Sequence, residues 1–163
     1  MPLSPRLTVA SQSFNMNSSF LKQSLTGLTD EEWCKRPSDH SNNIQWIVCH
    51  VTWARAMVLA RLGDKWSLPW MQQYARGQKC TDSPDAPSPK AVMDAWDEAC
   101  GRLSTAMEAA TEELLDTPAP QPGPPSADGK ICGIINFMAL HETYHVGQLA
   151  YLRSWLGKPG AMG

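Results

Sequence analysis

Residues 131–156 read ICGIINFMALHETYHVGQLAYLRSWL, and this stretch decides the fold. Ile134, Phe137, Met138, Leu149 and Leu152 recur at spacings that put them on one stripe of a helix with a buried face. No proline interrupts the run, and Gly157 followed by Pro159 closes it as a helix C-terminus. On the same apolar stripe stand His141 and His145. Four residues apart, they lie about 40° from each other round the helix axis and about 6 Å apart at Cβ.

Working outward, the apolar period predicts three further long helices. One covers about residues 7–27, with Leu7, Ala10, Phe14, Leu21, Leu25 and Leu28 near one stripe. Thr29-Asp30-Glu31-Glu32 has the form of a capping box and predicts a short helix, which Pro37 and the polar run 38–42 end. The second long helix spans about 43–62. Its inner face carries Trp46, Ile47, His50, Ala54, Met57 and Val58, with Gly63 as C-cap. A long connection, 64–88, includes a short helix near Trp70 to Arg76 and ends in a Pro- and Ser-rich piece. Ser88-Pro89 then reads as an N-cap followed by proline at the first helical position. The third long helix, about 89–115, aligns Val92, Trp96, Ala99, Leu103, Met107, Ala110 and Leu114. The stretch TPAPQPGPPSADG, 117–129, cannot be helical and reads as an exposed loop.

Nothing alternates with period two for long enough to suggest a sheet. Four amphipathic stripes bury one another most simply as a four-helix bundle. The expected fold is therefore all-α, a four-helix bundle in one domain, 1–163, with a long crossover between the second and third long helices. The length suits one domain, and 42% apolar with 18% charged residues reads as globular. Seven Trp and eight Met point to an interior of large, adaptable side chains.

Fourteen basic against sixteen acidic residues leave a formal charge of −2 and no basic stripe, which argues against a nucleic-acid partner. Cys34, Cys49, Cys80, Cys100 and Cys132 are odd in number and form no C-x-x-C pair, so free thiols in a reducing compartment are expected. The first residues lack a signal-peptide apolar core. No apolar run approaches the roughly 20 residues of a membrane span. These features predict a cytoplasmic protein.

The chain has only four histidines. Two imidazoles on an apolar stripe need partners for their nitrogens, and protonating both would set like charges side by side. A divalent metal resolves both demands, because neutral imidazole is a preferred ligand. Two ligands hold an ion weakly, and His50, central on the inner face of the second helix, is the best third. Taken singly, His50 has an ordinary reading as a hydrogen-bonded core histidine. His40, in a polar loop, is expected to be a surface residue.

The segment His141-Glu142-Thr143-Tyr144-His145-Val146-Gly147-Gln148-Leu149 resembles the H-x-x-x-H-x-G-Q-[LI] signature of the DinB/YfiT-like superfamily. Asn43 to Val51 resembles that family's second-helix motif, N-x-x-W-x-x-x-H-[VL]. The resemblance implies a four-helix bundle, often with parallel middle helices and often a homodimer, whose histidines at positions 50, 141 and 145 hold zinc or nickel. It further implies a small-molecule substrate. Several such proteins use a low-molecular-weight thiol in S-transfer or isomerisation, and others are metal-dependent hydrolases. A non-catalytic metal-binding bundle is the alternative.

His141-Glu142-Thr143-Tyr144-His145 also matches H-E-x-x-H, the helix of zinc metalloproteases. That motif needs a further downstream ligand, yet residues 146–163 contain no His, Asp, Glu or Cys, and a protease reading ranks well below the bundle. Glu142, 100° round from His141, reads either as a base for bound water or as a solvated or salt-bridged helix glutamate. Gln148 is placed to hydrogen-bond a ligand histidine. Trp46 and Tyr144 flank the site as pocket walls, each with an ordinary core-packing explanation. Gly147, facing away from the ligands, suggests close approach of another helix or subunit.

Overall fold

A computed structural model describes residues 2–81, 83 and 85–161. Every regular element among the described residues is helical. A 3₁₀ turn at Pro5–Leu7 leads into α1 (Thr8–Leu25). The short α2 (Asp30–Cys34), α3 (Ile44–Arg61), a 3₁₀ turn at Met71–Tyr74, α4 (Pro89–Ala109), the short α5 (Glu112–Leu115) and α6 (Ile131–Trp155) follow.

The boundaries follow local chemistry. Thr29 and Glu32 form the reciprocal capping box of α2, with Glu32 N–H donating to Thr29 Oγ1 and Thr29 N–H to Glu32 Oε2. Asn43 caps α3 by accepting from Trp46 N–H at 2.8 Å, and Ser88 caps α4 ahead of Pro89. Gly63 and Gly157, at φ 93° and 74°, end α3 and α6 in the left-handed region that glycine reaches without strain.

The expected third long helix does not run unbroken to 115. Ala110 is extended, and Thr111 Oγ1 accepts from Leu114 N–H, so a new N-cap starts α5 where α4 stops. Thr111-Glu112-Glu113 carries that signal in the sequence, but the continuing apolar period masks it. The predicted short helix near 70–76 is the 3₁₀ turn at Met71–Tyr74.

The four long helices touch in the cyclic order α1, α6, α3, α4 and back to α1. Their buried side chains form two apolar clusters. Ala10 and Phe14 of α1, Val58 and Leu59 of α3, Leu103 and Met107 of α4, and Ile134, Ile135 and Met138 of α6 make the first. Leu21 and Leu25, Ile47 and Val51, Val92 and Trp96, and Leu149 and Leu152 make the second. In chain order α1 and α6 pass from the first cluster to the second, whereas α3 and α4 both pass from the second to the first.

Between the clusters stand buried Asn17 of α1, Arg55 of α3 and Glu142 of α6, and the half-buried Cys100 thiol of α4, beside the second cluster, reaches the same layer. Arg55 and Glu142 are buried with 3% and 2% of their side chains exposed and form a two-pronged ion pair, Nε to Oε2 at 2.7 Å and Nη2 to Oε1 at 2.8 Å. Nη2 also donates to the Phe14 carbonyl at 2.9 Å and Nη1 to Cys100 Sγ at 2.8 Å. The guanidinium lies 4.0 Å from the Trp96 ring centroid. Burying either charge alone is costly, and this geometry offsets the cost by satisfying both groups.

Glu142→Gln should therefore lower the unfolding free energy by about 3 kcal/mol, measured by urea denaturation. The double replacement Arg55→Met with Glu142→Leu should recover most of that loss. A single Gln variant as stable as the parent would mean the pair does not hold the layer together.

Candidate metal centre

α3 and α6 bring together the three histidines that the sequence singled out. His50 sits two turns into α3, and His141 and His145 face it from successive turns of α6. His141 Nε2 lies 3.4 Å from His50 Nε2 and 3.1 Å from His145 Nε2. One ligand nitrogen from each ring falls within 4.8 Å of the others. Two nitrogens bound to one tetrahedral zinc at 2.0–2.1 Å stand about 3.3–3.4 Å apart, so the spacing suits a shared ion.

The proton inventory of the rings points the same way. His50 Nδ1 is 2.7 Å from the Tyr74 carbonyl, which can only accept, so Nδ1 carries the proton and Nε2 presents a lone pair. His145 Nδ1 donates to Gln148 Oε1 at 2.7 Å, and Gln148 Nε2 in turn donates to Tyr144 Oη at 3.1 Å. His145 Nε2 is thus a lone pair as well. His141 Nε2 has at most one proton to offer, so one of its two close contacts must set lone pair against lone pair. A cation at the centre removes that conflict. His141 Nδ1 is buried and has no hydrogen-bond partner among the described residues.

All three rings are held neutral. Burial is the main cause for each, against which the Tyr74 bond works at His50. Burial, then repulsion from His50 were both rings protonated, then Arg76 bring His141 down to about 4. Burial followed by His50 and His141 brings His145 to about 4. Neutral imidazole is the form that binds metal.

The surrounding residues divide. Trp46 is buried and stacks on His50 at 4.8 Å with 12° between the planes, and Trp53 stacks on it at 5.4 Å. Tyr144 is 63% exposed, so it is no core residue, and its ring covers His145 edge-on at 5.1 Å. Glu142 is salt-bridged but not solvated: both its oxygens are taken by Arg55. His40 lines a separate cleft with Gln148 and Tyr151. A Cβ on Gly147 would meet nothing within 4 Å, so no described part of this chain approaches that glycine closely.

Sequence reasoning missed Tyr74 and Trp53. A backbone carbonyl carries no side-chain signature, and Trp53, three residues after His50, falls outside the inner face that the apolar period gives the second helix. It also missed a pocket of about 290 Å³ that Trp53, Met57, Phe137 and Met138 line together with His141 and Arg76. A helix-by-helix reading does not reveal it, because Arg76 comes from the α3–α4 connection and Pro124 and Pro125 from the loop before α6.

A sequence model of the DinB superfamily matches residues 19–149, a span that contains all three histidines and Gln148. The chain belongs to the DinB superfamily. No curated protein is significantly similar to it in sequence. In this DinB-superfamily chain the residues fit a metal, and His50, His141 and His145 would hold it through Nε2, with Tyr74 and Gln148 fixing two of the rings. No helix among the described residues is long and apolar enough to cross a membrane.

Protein purified without a metal-affinity tag should carry one divalent ion per chain by elemental analysis. His50→Ala, His141→Ala and His145→Ala should each abolish it. Gln148→Ala should keep the stoichiometry but weaken affinity about 10- to 100-fold in a chelator competition. Full occupancy in the His50→Ala protein would refute the centre.

Proposed function

We propose that this chain is a DinB-like, metal-dependent enzyme acting on a small molecule, by thiol S-transfer or hydrolysis, with zinc or nickel on His50, His141 and His145. The fold we assign it is a four-helix bundle with 62–88 as a crossover. The shared direction of α3 and α4 between the two apolar clusters supports that assignment, since parallel consecutive helices need a connection that returns along the bundle.

The observation that carries the functional reading is a three-nitrogen donor set beside a pocket. Among the described residues no fourth His, Cys, Asp or Glu joins the set. His141 belongs both to the set and to the pocket wall. Structural zinc sites are usually closed by four protein ligands, whereas catalytic ones keep a position for water or substrate. When bound, the metal would lower the pKa of a coordinated thiol or water, making a nucleophile near neutral pH. Three imidazoles suit zinc and nickel alike, and availability decides between them.

Of the two reactions, thiol transfer has the better support. Hydrolysis is helped by a carboxylate base near the bound water, and Glu142 is committed to Arg55. A thiolate needs no such base once its proton is lost. The role of this chain's own groups is then to orient and enclose: Tyr74 and Gln148 aim two ligand rings, and Trp53 and Phe137 exclude water on the pocket side.

Cobalt-substituted protein titrated with glutathione or 2-mercaptoethanol should develop a sulfur-to-metal charge-transfer band, absent from the His50→Ala form. An unchanged spectrum at saturating thiol would favour the alternative, a non-catalytic bundle in which the ion serves structure or dimerisation.

A further inference from the structure

Arg76 is the charged side chain of the pocket that reaches His141. It stands two residues beyond Tyr74, whose carbonyl holds His50, and just ahead of the turn at Gly77, φ 88°. It is exposed, and like Arg61 it has no ion pair or hydrogen bond among the described residues, whereas Arg6, Arg55 and Arg102 are matched with carboxylates. Its charge is nonetheless felt at His141.

The charge balance of the site sharpens this. An all-imidazole donor set is neutral, so a divalent ion on it would keep its full double positive charge. Glu142, one residue from His141, is neutralised by Arg55. Arg76 would therefore add a third positive charge beside a pocket whose lining residues include no carboxylate. Around it the wall is apolar: Trp53 and Met57 of α3, Phe137 and Met138 of α6. At about 290 Å³ the pocket is at the small end of ligand-binding cavities.

The geometry points to a small carboxylate with an apolar, preferably aromatic, body as the ligand class of this pocket, its carboxylate set against Arg76 and its body against Trp53 and Phe137. This inference rests on reading the triad as a site that faces a small molecule. Arginine is suited to the task because its planar fork meets a carboxylate with two parallel hydrogen bonds. The aromatic walls would take the body by apolar contact and ring stacking.

The test uses metal-free full-length protein, so that it does not depend on the metal. 3-Phenylpropionate and its uncharged amide are titrated in turn, and binding is followed by the shift of the Trp53 indole N–H resonance. The acid should bind about tenfold more tightly than the amide, a margin expected for a charge-assisted contact in a partly apolar site. Arg76→Gln should erase the preference without changing amide affinity. Arg76→Lys should restore part of it, and Phe137→Ala should weaken both ligands. Equal binding of acid and amide, a preference that survives Arg76→Gln, or no binding of either would overturn the inference. A protein that binds no metal yet prefers the acid would refute the proposed enzyme and leave the pocket assignment standing.

Discussion

Arg55 touches every other long helix of the molecule: α1 through the Phe14 carbonyl, α4 through Cys100 and the Trp96 ring, and α6 through Glu142. It sits in a polar layer that divides the apolar interior into two clusters. Apolar packing alone tolerates sliding, because one leucine contact resembles the next a turn away. A buried guanidinium does not, because a shift of one residue would leave two charges without partners at a cost of several kcal/mol. The layer thus sets the register of four helices whose apolar stripes leave it underdetermined.

That register is what brings the three histidines together. Position 50 lies five residues before Arg55 on α3, and positions 141 and 145 bracket Glu142 on α6. The ion pair and the triad are therefore two readouts of a single alignment between two helices. The triad on its own would not enforce it. Its nitrogens are mutually unfavourable until a cation separates them, with two lone pairs turned inward by the bonds to Tyr74 and Gln148. A favourable contact beside an unfavourable one keeps the site open in the right shape, which is preorganisation for an ion.

Much of this was legible in the residues, for identifiable reasons. The long helices announce themselves through period and caps, and Thr29, Asn43 and Ser88 cap where their side chains say they should. His50, His141 and His145 stand out because histidine is rare here and falls on apolar stripes. Gln148 could be placed because three residues from His145 is one helical turn. What sequence hid was whatever depends on rotation about the helix by less than a face. Tyr144, one residue from His145, turned out mostly exposed, while Glu142, one residue from His141, turned out buried. Their partners decide the difference: Arg55 waits on one side, and solvent lies on the other. The break at Ala110 was hidden for another reason, since Leu114 keeps the period of α4 although its segment begins a new cap.

The fate of Glu142 bears on the chemistry that the H-E-x-x-H spacing predicts. In a zincin the glutamate between the histidines serves as base for a metal-bound water. The helix here has the same spacing, but α3 supplies an arginine at the level where that carboxylate emerges. A carboxylate that holds two charge-assisted bonds in a dry interior is a poor base, because taking a proton would abandon the guanidinium to an apolar medium. The motif has thus been put to structural use, joining α6 to α3. On the function proposed above, a site without a free carboxylate base would favour a thiol that loses its proton at the metal, or a carboxylate, over a neutral water.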